Sequence, residues 1–419
     1  MDAGLTERVA ASSTAEARVP FVPAEIQLVA GELPRNTEEV EAALVEANLG
    51  IYQRSLTLVR VGLEPYSASG GRTISGPKII AVEAAFLRLQ AGRAVHLERF
   101  DKRSDDWTRS DVPMTIIEGI QSRAGYWQFP RLDGLINGPT LRPDGTILHS
   151  PGFDEQSGLL LVDEGSAFPW VSTAPVLAEA QHALSLFDKL LGGFPFLDAV
   201  DRAVWLSAVL SAVARYYGGA IPMHCISATA AGSGKSMLAD MVAIIATGRP
   251  APVLSQAAKD EEMEKRLAGA ILAGDRLLML DNCDRPIESA LLCQAISQPA
   301  LKLRALGSST LADLPGELMV IATGNNLRLV GDLGRRSILC RLDAKVERPE
   351  LRRFAFDPIE YATANRGHLL WAALTILRAY IYAGMPEQHH TPLGGFASAG
   401  LGWCAVHWSG SASKTRARR

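Results

Sequence analysis

The chain has 419 residues, 47% apolar and 21% charged, with a formal net charge of −3. That length leaves room for two or three domains and more than one core, and the composition excludes disordered, collagenous and disulfide-stapled classes. A charge so near neutral argues against a strongly basic nucleic-acid binder while permitting a local basic surface. Five cysteines (Cys225, Cys283, Cys293, Cys340, Cys404) form no Cys-x-x-Cys pair and have no histidine at zinc spacing. They read as reduced buried thiols. The longest apolar runs, 203–214 and 369–385, are respectively too short to span a bilayer and interrupted by Arg378. Residues 1–25 contain no apolar centre of the signal-peptide kind. The expectation is a cytoplasmic protein with no membrane partner.

In chain order, residues 1–25 are small and polar and are expected to be disordered. A helix is expected from Asn36, with Glu39 completing a capping box, followed by short strands over 51–54 and 56–61. Gly70-Gly71 marks a turn, 94–100 reads as a strand and 112–122 as a helix. Residues 139–148 read strand, turn, strand, with Pro143-Asp144-Gly145 supplying the turn chemistry. Together 26–173 make a small α+β accessory domain. Its acidic cluster, Asp101, Asp105 and Asp106, is interrupted by Lys102 and Arg103. A charged loop explains that text better than a metal site, which needs converging carboxylates. His96 and His149 read as structural.

From residue 174 the pattern turns helical. Val176, Leu177, Ala180, Leu184, Phe187, Leu190 and Leu191 recur at helical spacing until Gly192-Gly193. A second helix over 204–217 ends at Gly218-Gly219. Next comes Ile226-Ser-Ala-Thr-Ala-Ala-Gly-Ser-Gly-Lys-Ser236, between a strand over 223–227 and a helix over 237–247. It matches G-x-x-x-x-G-K-[ST] except that Thr229 stands where the first glycine belongs. An ordinary glycine turn is the alternative, and the flanking strand and helix favour a phosphate loop. The candidate nucleotide contacts are Thr229, Ala231, Gly232, Ser233, Gly234, Lys235, Ser236 and Met237. Small residues let successive N–H groups turn toward phosphate oxygens, and the following helix adds its positive end. Lys235 would reach the β- and γ-phosphates of ATP, and the Ser236 hydroxyl would sit on Mg²⁺.

Further on, Arg276-Leu-Leu-Met-Leu-Asp281-Asn282 reads as a buried parallel strand with a carboxylate at its tip, where ligands of open α/β sheets bind. Asp281 would hold Mg²⁺. A third apolar strand, Leu318 to Asn326, ends in amides, so Asn325 can orient water or touch the γ-phosphate; a simple Asn turn is the alternative. Gly331-Asp-Leu-Gly-Arg335-Arg336 then leads into another apolar strand. The arginine pair suits either an arginine finger serving a neighbouring subunit or a solvated basic turn. Between the second and third strands, Leu301 and Leu303 alternate with Lys302 and Arg304, giving one apolar and one basic face before a Gly-Ser turn.

The order of these motifs resembles the AAA+ ATPases. The wording LLMLDN, LKLRALGSS, ATGNN and GDLGRR is similar to the superfamily three helicase domains of phage and mobile-element primase–helicases. The resemblance covers roughly 174–385, and the text from Pro139 to Asp154 is similar to what precedes such domains. It implies a P-loop NTPase fold: a parallel sheet flanked by helices over 174–385, joined to the small N-terminal α+β domain. It further implies a ring, expected to be hexameric, that hydrolyses ATP with Mg²⁺ and translocates on single-stranded or forked DNA. A primase or replication-initiation protein is the implied partner. In the family the Lys302–Arg304 region forms a hairpin that grips DNA; a solvated basic strand face remains the alternative.

Two features depart from that pattern. Asn282 stands where many of these ATPases carry a catalytic carboxylate; an amide can position water but cannot take its proton. Asp284, or a carboxylate of the helix beginning Asp260-Glu-Glu-Met-Glu264, could assist. From Ala399 the text loses periodicity, so 386–419 reads as an irregular tail and a truncated or frame-shifted end. A regulatory ATPase that never unwinds DNA, and a nucleotide-binding remnant impaired in catalysis, are the alternatives to the motor.

Overall fold

The computed structural model describes residues 21–68, 72–162, 165–256, 260–304, 311–346 and 348–386. The expected turn at Gly70-Gly71, most of the expected N-terminal disordered segment and the C-terminal tail beyond residue 386 lie outside the described residues. Two units are formed, one from Met1–Asn137 with Ser150–Glu164, the other from Gly138–His149 with Gly165–Arg419.

In the first unit, strand Ala24–Leu28 runs parallel to Val95–Asp101, which pairs antiparallel with Asp106–Arg109. Two residues expected to be frayed thus belong to a strand. Helices Leu33–Glu46, Ala84–Ala94 and Met114–Ser122 bury Val40, Leu44, Leu87, Ile116, Ile117 and Ile120 against this layer. The first of them starts at Leu33, three residues before the expected Asn36. Pro34 suits the first helical turn, where a missing N–H costs nothing. Asn36 is instead buried inside the helix, its amide bonding both the N–H (3.2 Å) and the carbonyl (2.9 Å) of Val29. A second antiparallel sheet joins Ile51–Arg54, Thr57–Ala68 and Arg72–Ala81. Asp101 and Asp106 face each other across the last rung of a hairpin, and each accepts a local backbone N–H. Among the described residues, no group of three or more His, Cys, Asp or Glu is placed to hold a metal ion.

The second unit is built on a five-stranded sheet in the order Val253–Ser255, Leu277–Asp281, Met319–Asn325, Met223–Ala228, Ser337–Leu342, with every pairing parallel. Parallel strands are covered on both faces, which is why their sequences are nearly unbroken apolar runs. Alternate residues divide between two cores. Leu277, Met279, Met319 and Ile321 face the layer that includes Phe187, Trp205, Leu238 and Leu374. Leu278, Leu280, Val320 and Ala322 face Leu267, Ala295 and Leu301. Helices Leu177–Leu191, Ala199–Val213, Lys235–Thr247 and Arg366–Tyr382 supply the first layer; Asp260–Leu272 and Ala290–Ser297 supply the second. The short hairpin pairing Thr140–Leu141 with Ile147–Leu148 also belongs to this unit, and its Thr140 hydroxyl donates to the Val213 carbonyl at 3.0 Å. Among the described residues no helix is long and apolar enough to cross a membrane.

The second helix of this unit begins at Ala199, five residues ahead of the expected Val204. Asp198 caps it, accepting the N–H groups of Val200 and Asp201, and the Asp201 carboxylate accepts the N–H of Asp198 at 3.2 Å in return. Asp201 is fully buried and also accepts the Arg341 backbone N–H (2.8 Å) and its Nε–H (3.2 Å), fastening the helix to the edge strand. Asp201→Ala removes the reciprocal bond of the capping box and two cross-links together and should lower unfolding stability by about 2 kcal/mol, with Asp201→Asn intermediate. Urea denaturation of both variants beside the wild type measures this.

Candidate functional site

Met319–Asn325 lies between Leu277–Asp281 and Met223–Ala228, and because all three run parallel their C-terminal tips open on the same edge of the sheet. Ala228 sits opposite Asn325, and Leu280 opposite Ala322. Side chains alternate along a strand, so Asp281, Thr323 and Asn325 all fall on the face covered by the helix Lys235–Thr247. The loop 229–234 leads into that helix.

Two glycines shape the loop. Gly232 (φ +70°) and Gly234 (φ +93°) occupy the left-handed region that costs a side chain strain. Space is also short. A Cβ on Gly232 would stand 2.9 Å from the Glu350 Cβ, and one on Gly234 would stand 2.9 Å from Phe194 Cε1. Thr229, Ala231 and Gly232 are exposed along the loop, whereas Ser233 is buried and its Oγ donates to the Ala230 carbonyl at 2.8 Å. Gly234 occupies the N-cap position, so no side chain covers the first N–H groups of the helix. Met237 packs partly against the core.

Lys235 is buried, and its ammonium donates to Asn325 Oδ1 at 2.7 Å and to the Ala230 carbonyl at 3.3 Å. Burial lowers its pKa, and the Asp281 charge opposes that fall. One turn of chemistry away, Ser236 Oγ donates to Asp281 Oδ1 at 2.8 Å. Asn282 follows in a left-handed conformation (φ +53°), a region that asparagine tolerates better than most residues. The structure therefore brings Lys235, Ser236, Asp281, Asn282 and Asn325 together at one sheet edge.

Three groups there escaped the sequence reading. Thr323, inside the apolar third strand, donates its hydroxyl to Asp281 Oδ1 at 2.5 Å and accepts the Asn282 N–H at 3.0 Å. Asp240, on the helix after the loop, is held up to about 6 by desolvation and then by the charge of Asp281. Glu350 lies against Gly232, as described above. Cys283 is buried beside them, and burial followed by the charge of Asp281 pushes its thiol up to about 11. Next to Asn325 an open cleft of about 420 Å³ is lined by Cys283, Asp284, Arg285, Asn326, Leu327 and Arg328.

The arginine pair is elsewhere. Arg335 and Arg336 end a 3₁₀ turn, Gly331–Arg336, and both Nε–H groups donate to Asp332, that of Arg336 at 2.6 Å. Ser337 then opens the edge strand opposite Met223, at the far end of the sheet from the loop that follows Ala228. The six residues of Ser337–Leu342 span about 17 Å at ~3.3 Å per residue. The pair and the loop of one chain are thus separated by the length of the sheet. Lys302 lies on an antiparallel hairpin of Ala300–Arg304 with Leu311–Pro315, exposed beside buried Leu301 and in register with Asp313. The Arg304 side chain lies outside the described residues; its backbone pairs with Leu311.

The parallel sheet, the strand interposed beside the phosphate-loop strand and the glycine loop opening a helix define an α/β fold of the P-loop NTPase type. No family model and no curated protein matches the chain in sequence. Among solved structures it is similar to the apo C-terminal region of NrS-1, with a TM-score of 0.42 and 13% identity over 81% of this chain and 70% of that one. It is also similar to JCV helicase, with a TM-score of 0.26 and 15% identity over 55% and 66% of the two chains.

Because the folded Asp240 carboxyl holds its proton up to about 6, against ~3.9 for a free aspartate, the native state binds more protons than the unfolded chain between those values. Its contribution to stability therefore falls as pH rises through that window and levels off above it. The stability gain of Asp240→Asn over wild type should grow from about pH 4 to about pH 6 and then stay constant, as read by urea midpoints across pH.

Proposed function

We propose that this chain is an ATP-dependent motor of the AAA+ class, akin to superfamily three helicases, that works as a ring on single-stranded or forked DNA during replication of a phage, plasmid or genomic island. The observation that carries the reading is the pair of contacts at the sheet edge, Lys235 Nζ on Asn325 and Ser236 Oγ on Asp281. A buried ammonium, a hydroxyl, a carboxylate and a glycine-lined helix start make up the donor set that a magnesium nucleotide requires, so the residues fit that group. Bound magnesium ATP supplies the phosphoryl group to be transferred. Lys235 would hold the β- and γ-phosphates, Gly232 to Ser236 would present backbone N–H groups, and Ser236 with Asp281 would hold the metal. Asn325, once released from Lys235, would be placed to touch the γ-phosphate.

Asn282 presents an amide where a general base would stand. Phosphoryl transfer rests mostly on positioning and charge stabilisation, so slow turnover is compatible with it. Arg335 and Arg336 lie a strand's length from their own loop, which supports action on a neighbouring subunit's nucleotide. Lys302, exposed on its hairpin, and Arg304 are the proposed DNA contacts, and the first unit is the proposed link to a primase or to an origin. Asn282 also favours a second reading, a chain that binds nucleotide without turning it over; a regulatory ATPase indifferent to DNA is the other alternative.

ATP hydrolysis with and without single-stranded DNA separates these readings. Turnover stimulated by DNA and reduced at least ~100-fold by Lys235→Ala is expected; turnover indifferent to DNA supports the regulatory ATPase, and none at all the remnant. Replacing Arg335 and Arg336 by Ala should lower turnover by about 10³-fold. Mixing that variant with Lys235→Ala should restore part of the activity, since each supplies what the other lacks. No recovery would contradict action in trans. Lys302→Ala with Arg304→Ala should weaken single-stranded DNA binding and flatten its salt dependence.

A further inference from the structure

We infer that Thr323 is a positioning residue for the metal carboxylate, a role that rests on the nucleotide reading above. Its hydroxyl is fully buried in the middle strand and uses both of its capacities at once, donating to Asp281 Oδ1 at 2.5 Å and accepting the Asn282 N–H at 3.0 Å. The parallel register sets this up. Leu280 faces Ala322, so the next residues along, Asp281 and Thr323, stand side by side at the sheet's open edge. Strand alternation keeps Thr323 on the same face as Asn325, which meets Lys235.

Two donors converge on Oδ1, and they differ in what they can do. Ser236 sits on the loop helix, where its hydroxyl is the one expected on the cation, so its bond to Asp281 is exchangeable. Thr323 is fixed in the core and cannot follow. Its bond orients the carboxylate independently of the Ser236 hydroxyl. The same hydroxyl holds the left-handed turn at Asn282, so the metal carboxylate and the amide beside it are aimed by one group. Groups that orient metal ligands from behind typically change metal affinity by 10- to 100-fold when removed.

Thr323→Val keeps the shape and deletes the hydroxyl; Thr323→Ser keeps the hydroxyl and deletes the methyl. With the full chain and a fluorescently labelled ATP, Mg²⁺ is titrated at fixed nucleotide. The Val variant should need about tenfold more Mg²⁺ to reach half-maximal binding, with nucleotide affinity in EDTA unchanged, and Ser should restore the wild-type midpoint. A Val midpoint equal to wild type, or a Ser midpoint equal to Val, overturns the assignment. Equal losses with and without Mg²⁺ also overturn it, since they mark general damage to the loop. Should Val not fold by circular dichroism, Thr323→Ala is titrated in its place with the same criteria. Absence of Mg²⁺-dependent binding in the wild type removes the nucleotide reading itself, an outcome distinct from a variant that merely matches wild type.

Discussion

A buried ammonium must have partners, and the placement of Lys235 is the constraint on which the rest of the second unit turns. The side chain leaves a loop that follows one strand and meets an amide at the tip of another, Asn325. That meeting requires the two strands to be neighbours and parallel, which in turn requires helical crossovers and apolar cover on both faces. The paired cores, the unbroken apolar strands and the flanking helices are the consequences. Asp281 enters from the next strand outward, so one interposed strand serves both neighbours, through Thr323 on one side and Asn325 on the other.

The elements of this arrangement were legible because buried parallel strands write themselves as apolar runs, and the polar residues at their tips stand out. Asp281 and Asn325 were visible that way, and Lys235 and Ser236 through the glycine loop that matches G-x-x-x-x-G-K-[ST] but for Thr229. The strand order was not, since no pattern along the chain says that Met319–Asn325 slips between two strands that precede it. Thr323 was hidden for the same reason: a lone threonine in an apolar strand carries no signal until its lateral neighbour is known. The proximity of Asp240 to Asp281 and of Glu350 to Gly232 likewise arises only from tertiary packing.

Helix starts show how local rules compete. Asn36 with Glu39 has capping-box spacing, yet Pro34 favours an earlier start and Asn36 is used to hold the end of a strand. At Ala199 the opposite happened: apolar periodicity begins at Val204, but Asp198 and Asp201 cap each other a full turn earlier. Asp201 then does double service, because its burial against Arg341 ties the same helix to the edge strand. The hairpin around Gly145 was readable from Pro-Asp-Gly; its membership of the second unit depends on Thr140 reaching Val213 and was not.

The crowding around the two loop glycines has a mechanical consequence. A Cβ on Gly232 would meet Glu350 backbone and Cβ atoms and one on Gly234 the Phe194 ring, while the Phe194 and Phe354 rings meet at a tilt with centres 5.1 Å apart. One of these segments enters the sheet region from the preceding helix and the other leaves the last strand toward the closing helices. A side chain at either position would have to displace the chain at 194 or at 350. The absence of side chains at the two glycines is what lets these segments close against the loop.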